Sequence, residues 1–232
     1  MEDGKIIEGY EKLIALGDYK DSAEKAADIA AQYKTEKLKN AKAGDIVSFG
    51  HYEQDNDQDN GAEEIHWIVL ESNDGKLLLI SKYILDYKDV APKSPWRWQS
   101  GAVRKWFNEQ FLQSAFTSEE QLLIPSTTLP QDANTQYKAL QESFVNNRIF
   151  ALNVEEVLKY FPKQTDRKCE WTAYAKAESP FPDSEDLYGE WWLRVVNTGG
   201  RPYMVNANGG IESAYGRVEK GLRPAMWIDL NA

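Results

Sequence analysis

The side chains able to do chemistry are few in this chain, and their spacing closes most routes. Histidine occurs twice, at His51 and His66, and cysteine once, at Cys169. Zinc sites of the common His/Cys kinds are therefore nearly out of reach. His66 lies inside an apolar run and is expected as a packed, hydrogen-bonded core histidine. The run Asp55-Asn56-Asp57-Gln58-Asp59-Asn60-Gly61 carries oxygen ligands of the kind calcium uses. An EF-hand loop starting at Asp55 would need glycine at position 60 and glutamate at position 66. Those positions hold Asn60 and His66, so the template fails and a solvated turn is expected. A Gly-x-Ser-x-Gly nucleophile elbow is missing, and no Cys–His pair follows from the spacing. Gly199-Gly200 and Gly209-Gly210 fit neither a P-loop nor a dinucleotide fingerprint. Glycoside hydrolysis needs only two carboxylates, but 37 Asp and Glu residues cannot by themselves select a pair. The sequence thus assigns no catalytic residue, no metal ligand and no cofactor.

Residues suited to binding are easier to find. The segment 197–217 is rich in Tyr, Asn, Ser, Gly and Arg, which offer rigid amphipathic area and adaptable hydrogen bonds. Its candidate contacts are Asn197, Arg201, Tyr203, Asn206, Asn208, Glu212, Tyr215 and Arg217. The same glycines also predict turns, with Asn208-Gly209-Gly210 reversing the chain between strands at Tyr203–Val205 and Ile211–Tyr215. Trp96 and Trp98 flank Arg97 and form a second candidate, a stacking platform for a sugar or peptide. The competing reading packs both rings at the start of the following helix. Trp191 and Trp192 point to opposite faces if they share a strand, so one is expected in the core. Trp67, Trp106 and Trp227 are expected there outright, and Arg223 is expected to pair with a buried carboxylate.

Those residues need elements to hold them. At about 150 residues per domain, 232 residues suggest one sizeable domain plus something small. A 42% apolar and 12% aromatic content supplies a core, and disorder is excluded. A net charge of −10 argues against nucleic acid, whose counterions nothing would replace. No apolar run approaches a membrane span. Met1-Glu2-Asp3-Gly4 has neither the basic nor the apolar region of a signal peptide. Residues 1–44 read as a helical hairpin, with Ile6, Ile7, Tyr10, Leu13 and Ile14 at helical spacing and Gly17 ending the first helix. Asp21 and Glu24 are expected to cap the second helix, which carries a small-residue stripe at Ala23, Ala26, Ala27 and Ala30. From residue 45 the pattern becomes mixed. Strands are predicted at 45–50 and 65–70, the latter apolar on both faces, and Asn73-Asp74-Gly75 turns the chain into 76–81. Val103, Trp106, Phe107 and Phe111 share a helix face. Capping pairs Thr117/Glu120 and Asn153/Glu156 open two further helices. Residues 126–147 and 163–190 read as long loops, a class that is commonly functional or mobile. Segments 190–196 and 221–230 complete an α+β layout.

Several ordered motifs carry a resemblance. Phe49-Gly50-His51-Tyr52-Glu53-Gln54-Asp55, Asn60-Gly61, Ile65-His66-Trp67, Leu79-Ile80-Ser81-Lys82, Trp191-Trp192-Leu193-Arg194 and Gly221-Leu222-Arg223-Pro224-Ala225 occur in that order. Together they resemble an uncharacterised domain family common in gut Firmicutes, over residues 45 to 230. The layout also resembles the C-type-lectin-like fold, whose terminal strands pair beside two helices and whose long excursion builds a loop-rich binding face. The Gly-x-Arg-Pro ending is similar to that of formylglycine-generating enzymes and of retroelement variable proteins. The cysteine ligands of the former are missing here. Leu16-Gly17-Asp18-Tyr19-Lys20-Asp21-Ser22 resembles a motif of tetratricopeptide-like repeats, in one copy where a solenoid needs about three.

The expectation is therefore a helical hairpin at 1–44 and a C-type-lectin-like α+β domain at 45–232. It would recognise a protein or glycan through its loop face without catalysis. A carboxylate-dependent glycan hydrolase and a cap of a helical-repeat array are the alternatives. The location is extracellular or cell-surface if the chain is a piece of a longer protein, and otherwise cytoplasmic.

Overall fold

The computed structural model describes residues 3–17, 19–89, 96–214 and 219–232. Two helices open the chain, α1 (Asp3–Ala15) and α2 (Ser22–Lys39), and they pack along each other with Tyr10 and Tyr33 stacked at 4.0 Å. Asp21 occupies the cap position of α2 but makes no capping bond there; its carboxylate pairs with Lys25 instead. The Ser22 hydroxyl donates to the Gly17 carbonyl and ties the two helices at their turn. Ala26 is buried, while Ala23 and Ala27 stay exposed. The C-terminal half of α2 meets the next strand, and Lys34 forms an ion pair with Glu64.

The first sheet supplies the platform. Strand β1 (Ile46–Tyr52) pairs antiparallel with β2 (Glu63–Asn73), which pairs with β3 (Lys76–Ser81). Asp74 (φ 49°) and Gly75 (φ 74°) form the two-residue connection, both in the left-handed conformation that matches the twist of a tight hairpin. Strand β2 is not apolar on both faces as expected. Ile65, Trp67 and Val69 point inward, and His66 is exposed, bonded to the Ser48 hydroxyl at 3.1 Å through Nδ1. His66 is thus a surface histidine rather than a core one, on the face of β2 opposite Ile65, Trp67 and Val69.

That layer follows the short strand β4 (Asp86–Asp89). Helix α3 (Ala102–Trp106) passes through a π-helical turn at Phe107–Phe111 into α4 (Leu112–Ala115). Val103, Phe107, Phe111 and Ala115 are all buried. Phe116 lies 5.4 Å from Phe49 and 6.3 Å from Trp67, and the Trp67 indole donates to the Phe49 carbonyl at 2.7 Å. Helix α5 (Ser118–Leu122) starts with the predicted Thr117/Glu120 capping box. After the loop 126–147 come β5 (Ile149–Phe150) and α6 (Val154–Tyr160), the latter with the predicted Asn153/Glu156 box.

Residues 163–190 hold more structure than the sequence suggests. A 3₁₀ turn spans Gln164–Arg167, and β6 (Cys169–Glu170) and β7 (Tyr188–Gly189) pair around α7 (Ala173–Ala177). The chain then builds β8 (Trp191–Val196), β9 (Pro202–Val205), β10 (Ile211–Ser213), β11 (Glu219–Leu222) and β12 (Ala225–Asp229). The sheet orders are β1-β2-β3-β12-β5 and β10-β9-β8-β11-β4. The first and last strands share a sheet, but β2 and β3 stand between them, so they do not pair directly as expected.

Every residue of β8 is buried. Trp191 and Trp192 both lie in the core, because this central strand is covered on both faces. Trp106 and Trp227 are only partly buried against the core. Arg223 finds no carboxylate among the described residues. Its guanidinium lies 5.0 Å from the Trp191 ring and 5.1 Å from Phe161, and Nε donates to the Ser81 carbonyl at 3.0 Å. Burial pushes its pKa down and pushes the neighbouring Cys169 thiol up.

Candidate functional site

The binding residues read from the sequence do not form one surface. Trp98 is fully buried and Trp96 nearly so. The Trp98 indole donates to Asn147 Oδ1 at 2.8 Å, and the two rings meet edge-on at 6.3 Å. Neither can serve as an open stacking platform. Tyr203 is also buried, with its hydroxyl on the Tyr137 carbonyl and its ring edge-on to Tyr137. Tyr215 and Arg217 lie outside the described residues.

Asn197 and Asn206 work inside their own turns. Asn197 Oδ1 accepts from the amides of Gly199 (2.9 Å) and Arg201 (3.0 Å). Asn206 Oδ1 accepts from those of Asn208 (3.0 Å) and Gly210 (2.9 Å). Arg201, Asn208 and Glu212 are exposed. Because β8, β9 and β10 form an antiparallel meander, the 197–201 turn sits at one end of the sheet and the 206–210 turn at the other. The second borders a cleft.

That cleft encloses ≈ 560 Å³, within the usual range for a small-ligand site. Its walls include Tyr87 from β4, Trp171 before α7, Tyr188 from β7, Phe181 from the intervening loop and Ala207 from the turn. Trp171 lies 6.1 Å from Tyr87, and its indole donates to the Asp186 carbonyl at 3.0 Å. The Ser184 hydroxyl donates to Asp186 Oδ2 and accepts from the Asp186 amide, fixing the loop tip. Phe181 is 61% exposed. Three carboxylates, Asp183, Asp186 and Glu190, complete the lining. Lys220 pairs with Glu190, and burial, with Glu190 and Glu219 adding to it, pushes the Tyr87 phenol up. The turn at 206–210 is locked from behind. Gly209 has φ +82°, and a Cβ there would fall 1.9 Å from the Gln164 carbonyl oxygen.

The sequence reading passed over Trp171, Phe181 and Tyr188. Their signal was aromatic rings inside a polar stretch, with Phe181 set between Pro180 and Pro182.

A second pocket of ≈ 320 Å³ lies between β2, the 127–130 segment and α6. Its carboxylates are already engaged. Glu71 accepts from Tyr160 at 2.6 Å and pairs with Lys159, which holds its pKa below the ordinary value. Glu156 clamps the buried Arg194. An acid of the glycosidase type needs a raised pKa, the opposite of what Glu71 shows. The acidic turn after β1 brings Glu53, Asp55 and Glu63 within 4.8 Å of one another. Their oxygens accept from the loop's own amides at Gln54, Asp55 and Asp57. Among the described residues, no helix is long and apolar enough to cross a membrane.

A family model described as a domain of unknown function, DUF6273, matches residues 74–230. The chain belongs to the DUF6273 family. No curated protein and no solved structure matches it. The family match begins at the β2–β3 turn and runs to the end of β12, so it contains the whole aromatic cleft. Strands β1 and β2 precede the matched DUF6273 region, although they belong to the same sheet.

Proposed function

We propose that this DUF6273 domain is a non-catalytic recognition module, C-type-lectin-like in layout, that holds a protein or glycan ligand on its loop-rich face. The observation that carries the reading is the cleft of Trp171, Phe181, Tyr188 and Ala207. It is concave, lined by aromatic side chains with a few polar groups, and mounted on two paired sheet elements, as ligand sites commonly are. Phe181 in particular presents a large apolar ring to solvent within this cleft. Asn208, beside the cleft, and Arg201 and Glu212, elsewhere on the second sheet, add polar exposure.

The test is a screen of glycan and peptide arrays with the wild-type chain and with Phe181→Ala. Ligands held by the wild type and lost by the variant support the reading. Turnover of a substrate, with no ligand retained, overturns it.

A further inference from the structure

We propose that the cleft takes a cationic ligand, a lysine or arginine side chain of a basic peptide, held between its aromatic walls and the carboxylates of Asp183 and Asp186. This rests on the recognition reading above and names its ligand class. Three carboxylates and no basic side chain line the cleft. One of the three, Glu190, is neutralised by Lys220 from the sheet side. Among the described residues, neither Asp183 nor Asp186 meets a lysine or arginine. Both residues line a space walled by electron-rich rings, on a chain of net charge −10. Aromatic faces attract cations, and the protein already uses one this way: the Lys168 ammonium sits 5.0 Å from the Tyr188 ring centre.

A neutral sugar would gain stacking from the rings but nothing from the negative charge of Asp183 and Asp186. A small ammonium ion would satisfy the charge but leave the exposed Phe181 of the cleft uncovered. A peptide carrying a basic side chain does both, placing the cation in the cleft and its neighbouring residues on the apolar rim.

The experiment titrates a labelled tetra-arginine peptide, and its tetra-citrulline counterpart of the same shape without charge, into the full chain by fluorescence anisotropy. The arginine peptide is expected to bind and the citrulline peptide not. The Asp183→Asn/Asp186→Asn double variant is expected to weaken binding roughly tenfold. A control pair with the same charge change, Glu24→Gln/Asp28→Asn on α2, is expected to leave it within about twofold. Equal binding of the citrulline peptide, no binding of the arginine peptide, or equal weakening by the control pair overturns the cationic assignment. A neutral glycan that binds and is lost with Phe181→Ala would also overturn it while leaving the recognition reading standing. Turnover without any retained ligand would remove both.

Discussion

Arg194 is fully buried in β8, where its two terminal nitrogens donate to Glu156 and to the carbonyls of Ala151 and Pro130 while Nε has no partner among the described residues. Its guanidinium also lies 5.4 Å from Phe144 and 5.8 Å from Phe150. Removing the carboxylate would leave that charge uncompensated in the core, where it cannot be hydrated. Glu156→Ala is therefore expected to cost about 3 kcal/mol or more, measured by urea unfolding. Glu71 gives a milder and pH-dependent case. Hydrogen bonds from Lys159 and Tyr160 lower its folded pKa, so its contribution is complete above the unfolded value of about 4.3. That contribution is lost as pH falls through the lower folded value. The pair is well exposed, so the effect is expected at no more than about 1 kcal/mol. Unfolding of the wild type and Glu71→Gln should differ above pH 5 and converge in acid. Single residues were unevenly legible in the sequence. The capping pairs at Thr117 and Asn153 were readable because their partners lie three residues away. The packing of Trp96 and Trp98 at the helix entry was one of the two readings open there, whereas the burial of Tyr203 was not legible, since Tyr137 reaches it from a distant loop.

At the scale of elements, the helix from Ala102 to Ala115 shows what periodicity reveals and what it hides. The apolar face was plain, but the π-helical turn at Phe107–Phe111 was not. Its trace is the spacing of Val103, Phe107, Phe111 and Ala115, four residues each, wider than the 3.6 of an α-helix. Asn108 lies within that turn and anchors it. Its amide donates to the carbonyls of Arg104 (2.9 Å) and Ile149 (2.8 Å), and its Oδ1 accepts from the amides of Arg148 and Ile149. Asn108→Ala would strand those groups, and a loss of about 2 kcal/mol or more is expected in thermal or urea unfolding. The 206–210 turn is equally constrained. Gly209→Ala would meet the Gln164 carbonyl with a positive φ, and is expected to cost at least about 1–3 kcal/mol. The turn itself was evident from Asn208-Gly209-Gly210. Its abutment on the 3₁₀ turn, 45 residues earlier in the chain, carried no local signature.

For the whole molecule, the α+β class and the longer strands and helices follow from local patterns, whereas the short elements within 163–190 and the assembly of a site do not. One continuous segment, 197–217, looked like a single recognition face. The antiparallel meander instead sends its two turns to opposite ends of the second sheet. The concave surface arises from stretches near residues 87, 171, 181–190 and 207, brought together by sheet pairing. The most direct measurement of the recognition claim compares ligand capture by the wild type, Phe181→Ala and Asn208→Ala across the same glycan and peptide arrays. Phe181 is exposed, so its removal should leave stability within about 0.5 kcal/mol. The expected result is capture lost roughly tenfold or more in Phe181→Ala and largely kept in Asn208→Ala. Ligands captured equally by wild type and Phe181→Ala would place recognition elsewhere and contradict the account.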